Sequence, residues 1–133
     1  MYKSYLLLSL IICVIIIITS CGDDIIGSES NQTIDEIVQD SEIVYTFTNN
    51  QLKASGMIKN IGNTLILAPW YIETEFFSDS TFSLILGGDQ YSFHTNLDTS
   101  TSTIWTLEFS SDEIVESNYP DFAIKNFRAF RKK

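Results

Sequence analysis

The sequence predicts an all-β domain on three observations. Apolar and polar residues alternate with a period of two over most of residues 42–133, which is typical of half-buried strands. Clusters of Asn, Gly, Asp and Ser interrupt this alternation at near-regular spacing, where turns are expected. No segment between the clusters has the periodicity of an amphipathic helix. About seven short antiparallel strands account for the pattern.

The first two strands are predicted at residues 43–48 and 52–59. In the first strand Ile43, Tyr45 and Phe47 point to one face, and the turn follows at residues 49–50. The second strand ends at residues 60–63, where Asn and Gly tolerate positive φ angles.

Four strands are predicted in the middle of the chain. Pro69 precedes the first of them, because proline suits the start of a strand better than its interior. The four segments are residues 70–77, 82–86, 91–97 and 103–109, separated by turns at 78–80, 87–89 and 98–102.

The last strand is predicted to begin after Pro120. Phe122 and Ile124 fit one face, but Phe127 and Ala129 fall on the opposite one. A β-bulge near residue 126 would turn both pairs inward.

These strands predict an immunoglobulin-like β-sandwich with an aromatic core. Each buried aromatic side chain removes ~150–250 Å² of surface from water. A few such rings therefore suffice to form the core of a domain that cannot be stabilised by a disulfide. The predicted inward aromatic residues are Tyr45, Phe47, Trp70, Phe76, Phe82, Trp105 and Phe109.

The chain resembles the FxLYD-type domains, which are immunoglobulin-like modules of bacterial and archaeal envelope proteins. The resemblance covers residues 45–130 and rests on three segments: residues 56–63, residues 76–79 and residues 105–109. The family's namesake motif is matched only in part, and its usual Leu-x-Pro-Gly-Glu turn is replaced by Leu-Asp-Thr-Ser-Thr at 97–101. The resemblance implies a sandwich fold and an envelope setting, and it implies no catalytic residues.

The N-terminus predicts a bacterial lipoprotein signal peptide over residues 1–20. Lys3 precedes an apolar run at residues 6–18, and Ile18-Thr19-Ser20-Cys21 then resembles a lipobox. The run is shorter than the ~20 apolar residues of a membrane-spanning helix. The alternative is an uncleaved signal anchor. Cleavage would leave Cys21 as the lipidated first residue and discard the other cysteine, Cys13.

A lipid-anchored chain is expected to sit at the cell envelope, and the outer membrane is favoured because Gly22 rather than Asp follows the cysteine. Residues 21–41 are expected to form an acidic tether, with a helical turn at 33–40 suggested by the capping-box spacing of Thr33 and Glu36. The domain itself is predicted at residues 42–133.

Charge excludes some classes of partner. Removal of residues 1–20 leaves 7 basic and 17 acidic residues, a net charge of −10, which disfavours nucleic acid. Five bases lie in the last nine residues, where they protect a sheet edge or, alternatively, dock an acidic partner. These bases are Lys125, Arg128, Arg131, Lys132 and Lys133.

The sequence offers no convincing catalytic or metal site, and no cofactor is expected. His94 is the single histidine and is predicted on a solvent face. Metal-binding spacings are absent, and Asp79 and Asp98 are expected to form turns rather than calcium sites. Glu73 and Glu75 lie ~6–7 Å apart along a strand, a spacing that suggests a glycosidase pair, but a solvated face opposite Lys53 or Lys59 is expected instead.

Exposed apolar residues are the remaining indication of function. Tyr71 and Phe77 share the outer face of one predicted strand, and Ile104 is expected beside them. The prediction is therefore a lipid-anchored, non-catalytic module that acts through protein contacts. The alternative is a carbohydrate-binding module that uses Tyr71 and its aromatic neighbours. An enzyme comes third, and a concave site lined by His94 or by Glu73 and Glu75 would favour it.

Overall fold

A computed structural model of the chain describes residues 31–48, 50–115 and 118–133. Eight strands form in this part of the chain, one more than predicted. They are β1 (Gln32–Thr33), β2 (Ile37–Gln39), β3 (Val44–Thr48), β4 (Gln51–Asn60), β5 (Trp70–Phe77), β6 (Ile85–Phe93), β7 (Ser102–Ser110) and β8 (Ala123–Arg131). Within the described ranges, no helix is long and apolar enough to cross a membrane.

The strands build two antiparallel sheets packed as a sandwich, which confirms the predicted fold class. The first sheet has the order β1-β8-β5-β6. In the second sheet β4 is central, with β7 on one side and both β2 and β3 on the other. The long strands β4 and β5 therefore present alternate residues to the space between the sheets.

The core lies between β5 of the first sheet and β4 and β7 of the second. Along β5 buried residues alternate with half-buried ones at every position, as the period of two predicts. Trp70 stacks on Phe93 at 3.9 Å between ring centroids, and its Nε1 donates to the Thr95 carbonyl. Trp105 lies opposite Gly56, where a Cβ atom would come 3.1 Å from the indole ring, so the glycine makes room for the tryptophan.

Two predicted segments near the middle of the chain are wrong. The expected turn at 87–89 is strand, because β6 runs from Ile85 to Phe93 beside β5, with one register shift between Gly87 and Ile85. Gly87 is needed there for space, since a Cβ atom would overlap the Phe109 ring. The expected strand at 82–86 is mostly turn, and Phe82 is 36% exposed instead of being part of the core.

The helical turn expected at residues 33–40 is also wrong. Thr33 pairs with Phe130 in β1, and residues 37–39 pair with β4 as β2. Ile34 lies between these two strands and is buried in the core, which fixes the crossing from one sheet to the other. The sheets thus begin ahead of the predicted boundary at residue 42. The predicted signal peptide and Cys21 lie outside the described residues.

The bulge predicted near residue 126 is confirmed. The register between β5 and β8 shifts between Glu73 and Glu75, and Asn126 adopts a φ of 58°. Asparagine tolerates this left-handed conformation better than most residues. Consequently Ile124 and Ala129 are both buried, on either side of the bulge.

β1 and the turn between β5 and β6 lie at opposite ends of the first sheet. The described chain enters at β1, which pairs with the C-terminal end of β8, so Gln32 and Arg131 lie side by side. The turn between β5 and β6 lies at the opposite end of the first sheet. The eight residues of β5 separate these ends by ~25 Å at the usual rise per residue.

Candidate functional site

The three residues predicted to form a binding surface do not lie together. Tyr71 and Phe77 are on the outer face of β5, in the first sheet. Ile104 is on β7 in the second sheet, opposite Met57, and it is 70% exposed. The expectation that Ile104 lies beside the other two is therefore wrong, because the strand pairing places β7 next to β4.

Tyr71 is not a free aromatic platform. Its ring stacks on the buried Phe130 at 5.5 Å between centroids, and the Lys132 ammonium lies 4.4 Å from its centroid. Two neighbours thus already contact this half-buried ring, which leaves only part of it to a ligand.

Phe77 belongs to an apolar cluster at the end of the first sheet, which we call the hairpin patch (Phe77, Phe82, Leu84 and Ile85). The Phe82 ring meets Phe77 edge-on at 5.4 Å, and Ile85 is the cross-strand partner of Phe77. Leu84 and Ile85 are 56% and 53% exposed. Large apolar side chains that stay exposed in a contiguous group mark a surface for contact with another molecule.

The turn that carries the hairpin patch is held by one carboxylate. Asp79 accepts hydrogen bonds from the Ser83 hydroxyl, from the Thr81 hydroxyl at 2.5 Å and from the Ser78 hydroxyl at 2.9 Å. It also accepts a bond from the Thr81 backbone N–H at 2.8 Å. These bonds, that from Ser83 most strongly, lower the pKa of the Asp79 carboxyl below its ordinary value.

The same turn holds Phe82 at a φ of 59°, a conformation that bulky residues rarely adopt. Such a residue costs about 1–3 kcal/mol and persists only where its surroundings fix it. Here the Asp79 bonds fix the turn, and the Phe82 ring lies under the Lys125 ammonium at 4.7 Å. The hairpin patch is therefore preformed.

The depressed pKa of Asp79 predicts how the turn responds to pH. The pKa of Asp79 in the folded protein lies below the ordinary value of about 3.9, so the ionised carboxylate stabilises the turn fully at pH values above about 3.9. This stabilisation is lost as the pH falls through the pKa of the folded state. The amide resonances of Thr81 and Ser83 should stay constant from neutral pH to about pH 4 and move only in stronger acid. Asp79→Asn should remove this dependence. A wild-type carboxyl that titrates at or above 3.9 would contradict the assignment.

A polar groove opens beside the hairpin patch, on the outer face of the first sheet. It has a volume of about 550 Å³, and its walls are Glu73 and Glu75 of β5, Gln90 of β6, and Asn126 and Arg128 of β8. Arg128 Nε lies 2.5 Å from Glu73 Oε1, and Asn126 Nδ2 donates to Glu75 Oε2 at 2.5 Å.

The groove corrects one expectation. Glu73 was expected opposite Lys53 or Lys59, but its charged partner is Arg128, and Lys53 instead pairs with Glu108 on the second sheet at 3.1 Å. A concave site lined by the two glutamates is thus present, although both carboxylates lie side by side on one strand. Glycosidase pairs instead flank the scissile bond.

His94 and Asp98 lie where the sequence predicts them. His94 is exposed, and its Nε2 lies 3.4 Å from the Ser92 hydroxyl. Asp98 lies in a turn, since its backbone carbonyl accepts from both the N–H and the hydroxyl of Thr101. In the ranges that the structure describes, no three His, Cys, Asp or Glu side chains converge as metal ligands would.

Sequence reasoning missed both the hairpin patch and the groove. Phe82 and Leu84 resembled strand residues, and only the Asp-x-Thr-x-Ser spacing from Asp79 to Ser83 could have indicated a capped turn. The groove depends on three strands that are distant in sequence, so no local signal could have revealed it. Comparison of the chain with protein-family models, with curated proteins and with solved structures gives no match in any of the three.

Proposed function

We propose that this protein is a lipid-anchored, non-catalytic module of the bacterial cell envelope that acts through protein contacts. The observation that carries the proposal is the position of the hairpin patch. Its exposed side chains, Leu84 and Ile85 above all, lie at the end of the sandwich opposite to β1, where the chain enters. An anchor ahead of β1 would hold that end toward the membrane and present the hairpin patch away from it.

The anchor rests on the sequence alone. Ile18-Thr19-Ser20-Cys21 would direct lipidation of the Cys21 thiol and cleavage before it, and two or more acyl chains are needed for stable attachment. The acidic residues at positions 23–29 suit a hydrated spacer. The outer membrane is the proposed location. The resemblance to FxLYD-type domains agrees with this setting and stays a prediction.

The ordered conformation of the hairpin patch favours a role in binding. Ordering a flexible loop on association costs free energy, and a turn already fixed by Asp79 and by the left-handed Phe82 avoids that cost. The proposed partner is an envelope protein with an apolar surface, because all four side chains of the hairpin patch are aliphatic or aromatic and three of them are exposed. The Lys125 ammonium lies beside the patch, over the Phe82 ring.

A photocrosslinking experiment in intact cells tests this surface. A photoreactive residue in place of Leu84 should give a discrete crosslinked protein, and the same residue in place of Ile104 should not. Ile104 is the matched control, since it is equally apolar and even more exposed but lies on the other sheet. Asp79→Ala should weaken the Leu84 adduct because it releases the turn. Equal adducts at both positions, or none at Leu84, would refute the proposed surface.

The carbohydrate-binding alternative is favoured by a different observation. Tyr71 is less suited to this role than the sequence suggests, because its half-buried ring already stacks on Phe130 and lies close to the Lys132 ammonium. The polar groove is the surface that suits a sugar, and it leads to a separate inference.

A further inference from the structure

The groove is built from three adjacent strands that contribute side chains in register. Gln90, Glu73 and Arg128 form one row across the sheet, because Glu73 is the cross-strand partner of both others. Gly88 and Glu75 form the next row toward the hairpin patch. The side chains stand on the outer face, alternating with the buried Ile72, Thr74 and Phe76.

Gly88 forms the floor of the groove. It lies opposite Glu75 and has no side chain to fill the space between Gln90 and the hairpin patch. The bulge at Asn126 widens the groove on the other side, because the extra residue turns β8 away from its regular register. The resulting volume of about 550 Å³ falls within the range of small-molecule sites, about 300–1,000 Å³.

The polar side chains of the groove are paired with one another across the strands. Arg128 holds Glu73 through Oε1, and Asn126 holds Glu75 through Oε2. Within the described part of the chain, no hydrogen bond occupies the second oxygen of either carboxylate. The groove therefore offers two oriented acceptors, together with the amide of Gln90 and the outer nitrogens of Arg128.

We propose that this groove is a saccharide subsite. Planar carboxylates, amides and a guanidinium placed side by side match the paired hydroxyl groups of a sugar ring, which both donate and accept hydrogen bonds. Lys125 is the cross-strand partner of Glu75, but its ammonium lies over the Phe82 ring of the hairpin patch. The lining of the groove itself therefore holds an excess of carboxylates over cations. The ligand is accordingly a neutral or amino-substituted glycan, and an acidic glycan is disfavoured.

The subsite goes beyond the proposed protein contacts and lies on a different set of side chains. Glu75 belongs to the groove and Leu84 to the hairpin patch. Loss of sugar binding in Glu75→Ala should leave the crosslink from position 84 intact, so the two proposals can fail separately.

The test is a titration of the full chain, held in detergent micelles, with five tetrasaccharides. The neutral probes are cellotetraose, mannotetraose and chitotetraose, the cationic probe is the chitosan tetramer, and the acidic probe is tetragalacturonate. At least one neutral or cationic probe should shift the backbone resonance of Gly88 and the side-chain amide resonances of Gln90 and Asn126. Calorimetry would then give the affinity.

Variants separate the groove from the rest of the surface. Glu75→Ala should weaken the affinity about tenfold or more, since hydrogen bonds to a charged group are lost, and Gln90→Ala should weaken it less. Glu108→Ala is the matched control, because Glu108 is a paired glutamate on the outer face of the other sheet. Absence of shifts with all five probes at millimolar concentration would overturn the proposal. So would binding unaffected by Glu75→Ala, or a preference for tetragalacturonate.

Discussion

Phe76→Ala should lower the free energy of unfolding by about 3–5 kcal/mol, whereas Phe82→Ala should lower it by about 1 kcal/mol or less. Phe76 is fully buried, and its ring packs against Phe109 and Phe122 with centroids 6.1 and 6.3 Å away. Removing it leaves a cavity at the centre of the sandwich. Phe82 is 36% exposed, so its removal leaves no such cavity.

This pair of variants tests the positions of the two rings, because the sequence pattern predicts both in the core and the structure places only Phe76 there. Urea unfolding followed by the fluorescence of Trp70 and Trp105 gives both values, because both indoles are buried and would be exposed on unfolding. Equal losses of stability from the two substitutions would show that residues 82–86 pack inward after all.

Asn60→Asp should destabilise the domain by about 3 kcal/mol or more at neutral pH. Asn60 is fully buried, and its Nδ2 donates to the carbonyls of Thr64 and Leu97 at 2.9 and 3.1 Å, while its Oδ1 accepts from the Gly62 N–H. An aspartate of the same shape would direct a carboxylate oxygen at two carbonyl oxygens. The side chain thus joins two loops that no other buried polar side chain bridges in the described residues.

The control for this prediction is Asn63→Asp, which makes the same chemical change at an exposed position. It should alter stability by about 0.5 kcal/mol or less. The loss of unfolding free energy caused by Asn60→Asp should become smaller in acid. A buried carboxyl that becomes protonated can again donate a hydrogen bond to one of the two carbonyls. A loss that equals that of the control, or that does not change with pH, would contradict the role of Asn60.

The sequence was sufficient for the sandwich where burial follows local alternation. β5 shows this best, since its period of two survives unchanged into the structure. The bulge at Asn126 was also predictable, because the apolar pairs on either side of it could not otherwise share a face. In both cases the hydrophobic pattern alone determines which side of the strand faces the core.

The alternation of apolar and polar residues gave wrong predictions where backbone conformation or the space available to a side chain determines the structure. Phe82 alternates like a strand residue, but the bonds to Asp79 and a left-handed φ place it in a turn. Gly87 and Gly88 resemble a turn, but β6 continues through them, and the close approach of the Phe109 ring and of the Thr74 carbonyl accounts for the two glycines. The groove itself needs the register of β5, β6 and β8, which depends on contacts between residues far apart in the chain.

The most direct measurement of the central claim is metabolic lipid labelling of the full chain in a bacterial host, with the intact mass determined in parallel. The wild type should take up label and have a mass that begins at Cys21. Cys21→Ser should lose the label, and the matched control Cys13→Ser should keep it, because Cys13 lies in the segment that is removed. An unlabelled, uncleaved wild type, or label that survives Cys21→Ser, would contradict the lipid anchor and leave a signal-anchored protein in its place.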